Sequence, residues 1–363
     1  MTSINDLEGL KYTEYINIKN GLKILQNWDD VIKSLPEKRQ KKILEKIHDF
    51  DPLLNLKKIC KEKKDIIHTN YSFSKTLKTC GRLFANNSSL QKLPREFRNA
   101  LADGLYYDID MKNAHPNLLS QYCEKNGIRC KILDMYISNR DNILTEISKT
   151  SNISLQEAKD LFLKLLNGGN NKIENITMSN DYIHDFKNEM KNIHKQICLI
   201  NSDDFKKCKL RKDFNPEGTM INILLCKLEH KMLMNAVYFL KNKGFNVDVL
   251  VFDGFMVRKE EGKIITEKIL DELNLYIKEQ TGYNIKFVEK SLENTIDLSK
   301  YIEPLYDTPE PITYFKDKEE FEKTHLKIIH PLMYLTLLED GSIDYQTEDK
   351  IKGSYKHKKN NPR

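Results

Sequence analysis

The segment "LYYDIDMKNAHPNLL", residues 105–119, carries two acids in a short apolar run and continues into a His-Pro pair. Side chains alternate along a strand, so Asp108 and Asp110 would share one face of a sheet. Pro116 falls near the first turn of a helix that Gly127 would end. Two carboxylates on one face repel each other unless a cation or solvent lies between them. The segment therefore predicts a strand with either a solvated acidic end or part of a metal site.

A second acid follows an apolar strand in "VDVLVFDGFMVRK", residues 247–259, which predicts a β-hairpin with Asp253-Gly254 at its turn. If the two strands are neighbours, Asp110 and Asp253 converge. Convergent carboxylates suit Mg²⁺ or Mn²⁺, which leave coordination positions for substrate phosphates. Two such ions can activate a 3′-hydroxyl and stabilise a leaving pyrophosphate. An ordinary hairpin turn is the other interpretation of Asp253-Gly254, and these two segments alone leave both open.

The composition is that of a charged globular protein. The chain has 363 residues, of which 39% are hydrophobic and 31% are charged. It has no run of about 18 apolar residues and no apolar leader, so we predict a cytoplasmic protein that is not secreted and has no membrane partner. Its seven cysteines include no CxxC pair, which indicates reduced thiols rather than a disulfide framework.

The net charge of +6 is concentrated in basic clusters. Clusters of this kind suit a nucleic-acid phosphate backbone, but solvated helix faces have the same composition. Charge alone therefore leaves both interpretations open. The clusters are residues 37–46, 56–65, 206–213 and 355–361.

The order of predicted elements indicates an α+β fold in which helices dominate and a small sheet carries the acids. Residues 1–68 look helical, and residues 72–97 look like a long loop. The clearest helix covers residues 151–169 and begins with a capping box of Ser154 and Glu157. The other predicted elements are a helix at 218–244, a helix at 263–282 and a strand at 283–292.

The loop before the first acidic strand carries a resemblance to a known family. Its sequence is "TCGRLFANNSSLQKLPREFRNAL", residues 79–101, and it resembles the "TGRL…LQN(I/L)P.R" segment of family A DNA polymerases. Gly81-Arg82-Leu83 and Leu90–Pro94 match that segment in identity and separation. The resemblance implies a polymerase right hand, with DNA primer-template and dNTPs as partners. It also implies that Arg82 and Gln91 touch the minor groove of the primer-template.

Two downstream segments resemble the metal-binding motifs of the same family, in the correct order. "DMKNAHPNLL" is similar to motif A, which makes Asp110 the metal ligand and places Asp108 as a secondary acid. His115 then stands where these polymerases usually have a Glu that gates the sugar. "VLVFDGFMV" is similar to motif C and places Asp253 on its metal-binding aspartate. The resemblance thus implies catalysis by two Mg²⁺ or Mn²⁺ ions held by these acids.

The helix at 158–168, "AKDLFLKLLNG", resembles the fingers helix of the family. Lys159 falls on the lysine that grips the triphosphate, Asn167 replaces a tyrosine, and Gly168 matches a glycine, so all three are predicted to bind the nucleotide. "NPEGTMINILLCKLEH", residues 215–230, resembles the family's "N.P.QGTAAD" helix with a two-residue shortening.

The sequence also departs from the family pattern. Gly254 replaces the acid that follows the motif C aspartate, and Leu155 stands where the fingers helix usually carries arginine. No exonuclease domain fits before the core, so proofreading is not expected. The chain looks most like the divergent transposon-virus polymerases, which in viruses and virophages are fused to a superfamily 3 helicase. The resemblance therefore implies a helicase partner and viral DNA replication, in the host cytoplasm or a viral factory.

The implied domains are a basic N-terminal region at 1–70 that forms a reduced thumb, and a polymerase core at 71–300. Within the core, the palm takes 71–119 and 215–300, and the fingers take 120–214. Residues 301–363 are predicted to be a linker or appendage towards a helicase.

Two other functions compete with a primer-extending polymerase. An archaeo-eukaryotic primase-polymerase also begins with an acidic strand of the type "LYYDID", but it would need a Ser-x-His motif, and "SNDYIHDF" at 179–186 is a poor match. A nucleic-acid-binding module with a decayed palm fits the basic clusters and the missing acid at Gly254. The two aspartates argue against that second alternative.

Overall fold

A computed structural model describes residues 11–44, 51–73, 81–169, 181–211, 214–293, 295–302, 333–337 and 343–347. The chain divides into two units, Met1–Pro304 and Leu305–Arg363. Every strand pair among the described residues is antiparallel. The predicted mixture of helices and small sheets is confirmed. None of the described helices combines the length and the apolar composition that a membrane span requires.

The described residues of the first unit form a series of α-helices, and most of these helices bury apolar side chains. Their bounds are α1 Ile18–Gln26, α2 Trp28–Ser34, α3 Glu37–Leu44, α4 Pro52–Cys60, α5 Arg95–Ala102, α6 Ala114–Lys125, α7 Lys131–Ser138, α8 Arg140–Thr150, α9 Leu155–Leu166, α10 Asp181–Ile200, α11 Ser202–Arg211, α12 Pro216–Asn242 and α13 Glu267–Thr281.

The strands of the first unit form two sheets. The first has the order β1-β2-β3 and the second the order β5-β6-β4-β7. Their bounds are β1 Lys11–Tyr15, β2 Ile66–Phe73, β3 Leu83–Ala85, β4 Tyr106–Met111, β5 Val247–Val251, β6 Gly254–Arg258 and β7 Phe287–Lys290.

The four-stranded sheet separates two hydrophobic cores. Alternation along β4 places Ile109 in one core, with Phe255 of β6, and Tyr106 in the other, with Met256. Asp108 and Asp110 belong to the face that carries Tyr106. Both the acidic strand and the hairpin of β5 and β6 were predicted from sequence, and both are confirmed.

The sequence predicts a helical N-terminal region, but the structure shows that this region also contains strands. Its first described residues form β1, which pairs with β2 and brings Glu14 into the interior. Tyr71 and Ser89 donate to Glu14 Oε1 at 2.8 and 2.6 Å, and the Leu90 N–H donates to Oε2 at 2.7 Å. These three hydrogen bonds stabilise a strand whose inward acid conceals the usual apolar alternation.

The segment at 72–97 is also more ordered than a long loop. The described parts contain β3, a 3-10 helix at Leu90–Lys92 and the start of α5. Gly81 adopts a positive φ of 94°, and a Cβ there would lie 3.0 Å from the backbone nitrogen of Lys227 in α12. A glycine is therefore required where this segment crosses α12.

Two helices have bounds at or close to those that the sequence predicts. Ser154 and Glu157 form the expected capping box of α9, and Gly168, with a φ of 71°, follows its last turn. Helix α12 lies two residues earlier than predicted, because the Asn215 side chain caps its start by accepting a hydrogen bond from the Gly218 N–H, and Asn242 is its last residue. It spans 27 residues and contributes to the walls of the site described below.

In the second unit, the described residues form a hairpin of β8, Met333–Leu337, and β9, Ile343–Thr347. The rest of the predicted linker or appendage at 301–363 lies outside the described residues, except for 301–302 at the edge of the first unit.

Candidate active site

One cavity of about 410 Å³ brings together most of the residues that the sequence singled out. Asp110, Asp253, His115, Lys159, Asn167 and Arg82 all line it. The further lining residues are Met111, Asn113, Ala114, Pro116, Tyr136, Arg140, Gln156, Asp160, Phe162, Leu163, Asn222, Glu229 and Lys290.

The two aspartates reach the cavity from neighbouring strands. Asp110 of β4 lies opposite Gly254 of β6, and the Met111 N–H donates to the Asp253 carbonyl oxygen at 3.0 Å. Asp253 immediately precedes β6, so the register of this strand pair fixes both carboxylates at the same edge. The sequence prediction requires that the strands beside Asp110 and Asp253 are neighbours, and β4 and β6 are paired in the sheet.

The turn before β6 contains a strained residue. Phe252 has a φ of 55°, in the left-handed region that bulky side chains rarely occupy. Its ring packs against Phe84 with centroids 5.4 Å apart, and Arg82 lies 5.2 Å above its centroid. These contacts hold the turn that presents Asp253.

Burial dominates the electrostatics of Asp253. Burial raises the pKa of this carboxyl and the charge of Glu229 raises it further, whereas the guanidinium of Arg82 opposes the increase. A cation at this carboxylate would therefore relieve an unfavourable buried charge.

Lys290 is the immediate partner of Asp110. Its ammonium contacts Asp110 Oδ2, while about half of the lysine side chain remains exposed. Burial lowers the pKa of Lys290, against the attraction of Asp108. The ammonium therefore neutralises Asp110 from a flexible and partly exposed side chain.

Asp108 does not line the cavity, although it shares a face with Asp110. It lies opposite Met256 of β6 and Lys290 of β7. Burial raises its pKa, and the cations Arg98 and Lys290 counter that effect. Its contribution to the cavity is thus electrostatic and acts through Lys290.

The donor set fits a magnesium-like ion rather than a closed structural metal site. Within the part of the chain that the structure describes, no group of three His, Cys, Asp or Glu side chains could hold a metal. Mg²⁺ takes one or two protein carboxylates and completes its shell with phosphates and water. A Cβ at Gly254 would lie 3.0 Å from Asp110 Oδ1, so the glycine preserves space beside that carboxylate.

A buried acid that the sequence did not reveal connects two predicted site residues. Glu229 of α12 accepts two hydrogen bonds from Arg82, at 2.8 Å from Nε and 2.7 Å from Nη2. The same carboxylate lies 2.8 Å from His115 Nε2. Glu229 stands in the apolar stripe of a helix 147 positions after Arg82, so only the fold relates them.

Arg140 is a second cavity residue that sequence reasoning missed. It is the first residue of α8 and lines the cavity together with Lys159 of α9. Among the described residues its acidic partner is the exposed Asp141 at 3.8 Å, which is a weak contact. Leu155, which stands at the usual arginine position of the family, does not line the cavity. Arg140 thus supplies a cation to the cavity from a different helix.

Asn167 and Gly168 contribute unequally. Asn167 ends α9, lines the cavity, and its Nδ2 donates to the Leu163 carbonyl at 2.9 Å. Its Oδ1 is buried and has no hydrogen-bond partner among the residues that the structure describes. Gly168 does not line the cavity, and its positive φ serves the helix end, so its contact with the nucleotide stays a prediction.

Gln91, for which the sequence predicts a contact with the DNA minor groove, lies in the interior of the fold. Its side chain is buried, and Oε1 accepts from the Ala85 N–H at 2.9 Å. Its Nε2 donates to the carbonyl oxygens of Leu83 at 3.0 Å and Leu250 at 2.7 Å. The amide therefore joins β3 to β5 and has no donor left for a nucleic acid.

Comparisons with known proteins place these features in context. No protein-family model matches the chain. It is 32% identical over 239 residues to the Sputnik virophage protein described as "Putative helicase V13". That alignment spans 63% of this chain and 30% of the virophage protein. This chain therefore corresponds to less than a third of its relative's length.

A solved structure superposes on the chain only loosely. It is the POL domain of Pol1 from M. smegmatis in complex with DNA primer-template and dNTP, with a TM-score of 0.45 and 10% identity. The superposition covers 77% of this chain and 67% of that domain. A fit this loose carries no weight for the site, whose interpretation rests on its own geometry.

Proposed function

We propose that this chain is a DNA polymerase that extends a primer by template-directed nucleotidyl transfer, using two divalent ions. One observation carries the proposal: Asp110 and Asp253, from neighbouring antiparallel strands, line the same cavity as the cations Lys159 and Arg140. Acids that hold metal ions, close to cations that hold phosphates, are what phosphoryl transfer requires.

Asp110 and Asp253 are the residues that would hold Mg²⁺ or Mn²⁺. Bound there, such ions supply charge for the attacking primer 3′-hydroxyl and for the leaving pyrophosphate. Asp253 is aimed by a strained turn, and Asp110 by an inner strand of its sheet, so both acids are fixed before substrate arrives. Lys290 would leave Asp110 when the ion binds, because much of its side chain is already in solvent.

Lys159 and Arg140 are the residues that would bind the triphosphate of the incoming dNTP. Arg140 takes the part that a family A polymerase gives to the arginine at the position of Leu155. A guanidinium binds phosphate oxygens in pairs and an ammonium acts as a point charge, so the two side chains complement each other.

His115 would stand below the sugar of that nucleotide and exclude a 2′-hydroxyl by its bulk. Arg82 would face the minor groove of the primer-template, where contacts read shape rather than sequence. Within this proposal the palm corresponds to residues 71–119 and 215–300, the fingers to 120–214, and the thumb to the N-terminal region.

The virophage relative gives the proposal a setting. Its description as a helicase, and its greater length, support the expectation that the polymerase works beside a superfamily 3 helicase in viral DNA replication. The helicase domain would be part of the same chain or of a longer chain that contains it.

A non-catalytic nucleic-acid-binding module remains the second candidate, because the Lys290 ammonium already satisfies Asp110. The primase alternative has less support. His184, in its candidate Ser-x-His segment, is exposed on α10, contacts Asn188, and does not line the cavity.

Primer extension separates the candidates. The protein is incubated with Mg²⁺, a labelled template with or without an annealed primer, and dNTPs or NTPs. Extension that requires the primer supports the polymerase, and products without a primer support the primase. Binding of the primer-template without any product would leave the binding module.

A further inference from the structure

We infer that Glu229 is a positioning residue for sugar selection, which holds His115 in place through a buried His115–Glu229–Arg82 cluster. This inference rests on the proposed polymerase function and deepens it. It concerns how the nucleotide sugar is discriminated, and it assigns a role to an acid that the sequence motifs leave unassigned.

The cluster is closed by short contacts from three separate parts of the chain. Glu229 Oε2 lies 2.8 Å from His115 Nε2 and 2.7 Å from Arg82 Nη2, and its Oε1 lies 2.8 Å from Arg82 Nε. His115 belongs to the first turn of α6, and Arg82 directly precedes β3. All three line the cavity that contains the two aspartates.

Burial makes the cluster rigid. The Glu229 side chain is only 1% exposed and that of His115 10% exposed. A buried carboxylate needs its hydrogen bonds, since losing one leaves a desolvated charge. Although burial raises the pKa of Glu229, the bonds from His115 and Arg82 lower it below its usual value, so the carboxylate stays ionised.

An ionised carboxylate accepts hydrogen bonds and donates none, so His115 must carry a proton on Nε2. The bond therefore fixes the orientation of the ring as well as its position. Nδ1 is the other ring nitrogen, and no described residue provides it with a hydrogen-bond partner. A ring fixed in this way is a rigid wall of the cavity rather than a side chain that can turn aside.

Arg82 connects this wall to the catalytic turn. Its guanidinium holds Glu229 with two parallel bonds and also lies over the ring of Phe252, beside Asp253. A displacement of Glu229 would therefore move both the His115 ring, which faces the sugar, and the turn that carries Asp253. The cluster thus links the position of the His115 ring to the position of the Asp253 carboxylate.

The test measures kcat/KM for a dNTP and for the matching NTP in primer extension by the full chain. We expect Glu229→Gln to lower the dNTP/NTP ratio about tenfold or more, the amount that one misplaced contact costs in discrimination. His115→Ala should lower the ratio similarly. The double variant should lose no more than His115→Ala alone, because Glu229 acts through His115.

Two further variants distinguish an effect on sugar selection from a general effect on folding. Arg82→Lys keeps a cation beside Glu229 but loses the paired bonds, so it should lower the ratio partway. Asp248→Asn is the matched control, because Asp248 is another buried acid paired with an arginine, Arg258, at 2.9 Å, and it does not line the cavity. It should cost stability without changing the ratio.

The outcomes are distinguishable. A parent protein that extends no primer overturns the proposed function and this inference with it. An active parent whose ratio is unchanged by both Glu229→Gln and Arg82→Lys overturns the inference alone. The inference also fails if the losses from Glu229→Gln and His115→Ala add fully in the double variant, because independent structural effects would add in that way.

Discussion

Asp110 lies directly opposite Gly254 in the antiparallel pair of β4 and β6, and no side chain fits at position 254. A Cβ there would lie 2.7 Å from the Ile109 carbonyl oxygen and 3.0 Å from Asp110 Oδ1. The acid that family A polymerases carry after the motif C aspartate would therefore collide with the strand that holds Asp110. The glycine at this position follows from the close approach of the two strands.

We predict that Gly254→Ala displaces Asp110 and lowers primer extension at least tenfold, because misplacing a reacting group by about 1 Å is costly. Extension rates measured beside the parent protein test this. Gly104→Ala is the control, since a Cβ there meets no atom within 4 Å. Its positive φ of 72° should cost stability while extension is retained. Full activity of Gly254→Ala would show that the strand spacing is not critical.

Removing Lys290 should strengthen metal binding. Its ammonium competes with a cation for Asp110, so Lys290→Gln should bind Mn²⁺ about two- to fivefold more tightly, the range of a partly exposed ion pair. Titration calorimetry without nucleotide measures this. Lys263→Gln is the control, because Lys263 pairs with Glu260 and does not line the cavity. Weaker Mn²⁺ binding by Lys290→Gln would mean that the lysine supports the ion.

Replacing the proposed phosphate cations should weaken nucleotide binding. Arg140→Gln and Lys159→Gln should each raise the KM for dNTP about tenfold, because a hydrogen bond to a charged group contributes about 1.5–3 kcal/mol. Steady-state primer extension gives the constants. Lys164→Gln is the control, since Lys164 lies on the same helix as Lys159 and does not line the cavity. An unchanged KM in Arg140→Gln would remove that residue from the site.

Glu14 should make stability depend on pH. Burial raises its pKa from 4.5 to about 7, against hydrogen bonds from Ser89, Leu90 and Tyr71. The folded protein therefore retains a proton that the unfolded chain loses, and this contribution to the free energy of unfolding falls as pH rises from about 4.5 to about 7. In Glu14→Gln, residue 14 cannot titrate. The free energy of unfolding of the parent should therefore fall relative to that of the variant as pH rises over that range.

Urea unfolding at several pH values measures this difference. Glu272→Gln is the control, because a hydrogen bond from Lys243 lowers the pKa of that carboxyl, so its parent-minus-variant difference should change mainly below pH 4.5 and stay nearly constant from pH 4.5 to 7. A parent-minus-variant difference that is constant from pH 4.5 to 7 for Glu14→Gln would contradict the assigned titration.

The sequence predicted the parts of the site that depend on local pattern. Alternation in the acidic strand and an Asp-Gly hairpin were enough to expect that Asp110 and Asp253 meet, and the capping box marked the start of the helix that carries Lys159. Strand β1 was missed because its inward residue is Glu14, and an acid on the buried face hides the apolar alternation.

Contacts between distant segments could not be predicted in the same way. Glu229 stands among apolar residues of α12, and nothing in its neighbourhood signals a bond to Arg82 or His115. Arg140 begins a helix with no motif, so only the folded chain places it beside Lys159. Gln91 matched a family pattern, but its amide forms hydrogen bonds with backbone groups that only tertiary packing brings next to it.

The central claim is that Asp110 and Asp253 perform metal-dependent nucleotidyl transfer, and single-turnover primer extension tests it most directly. The parent protein should extend the primer with Mg²⁺ and stop when EDTA is added. Asp110→Asn and Asp253→Asn should each slow the step at least about a hundredfold while primer-template affinity stays within about twofold. Extension by both variants at the parental rate, or none by a parent that binds the primer-template, would contradict the claim.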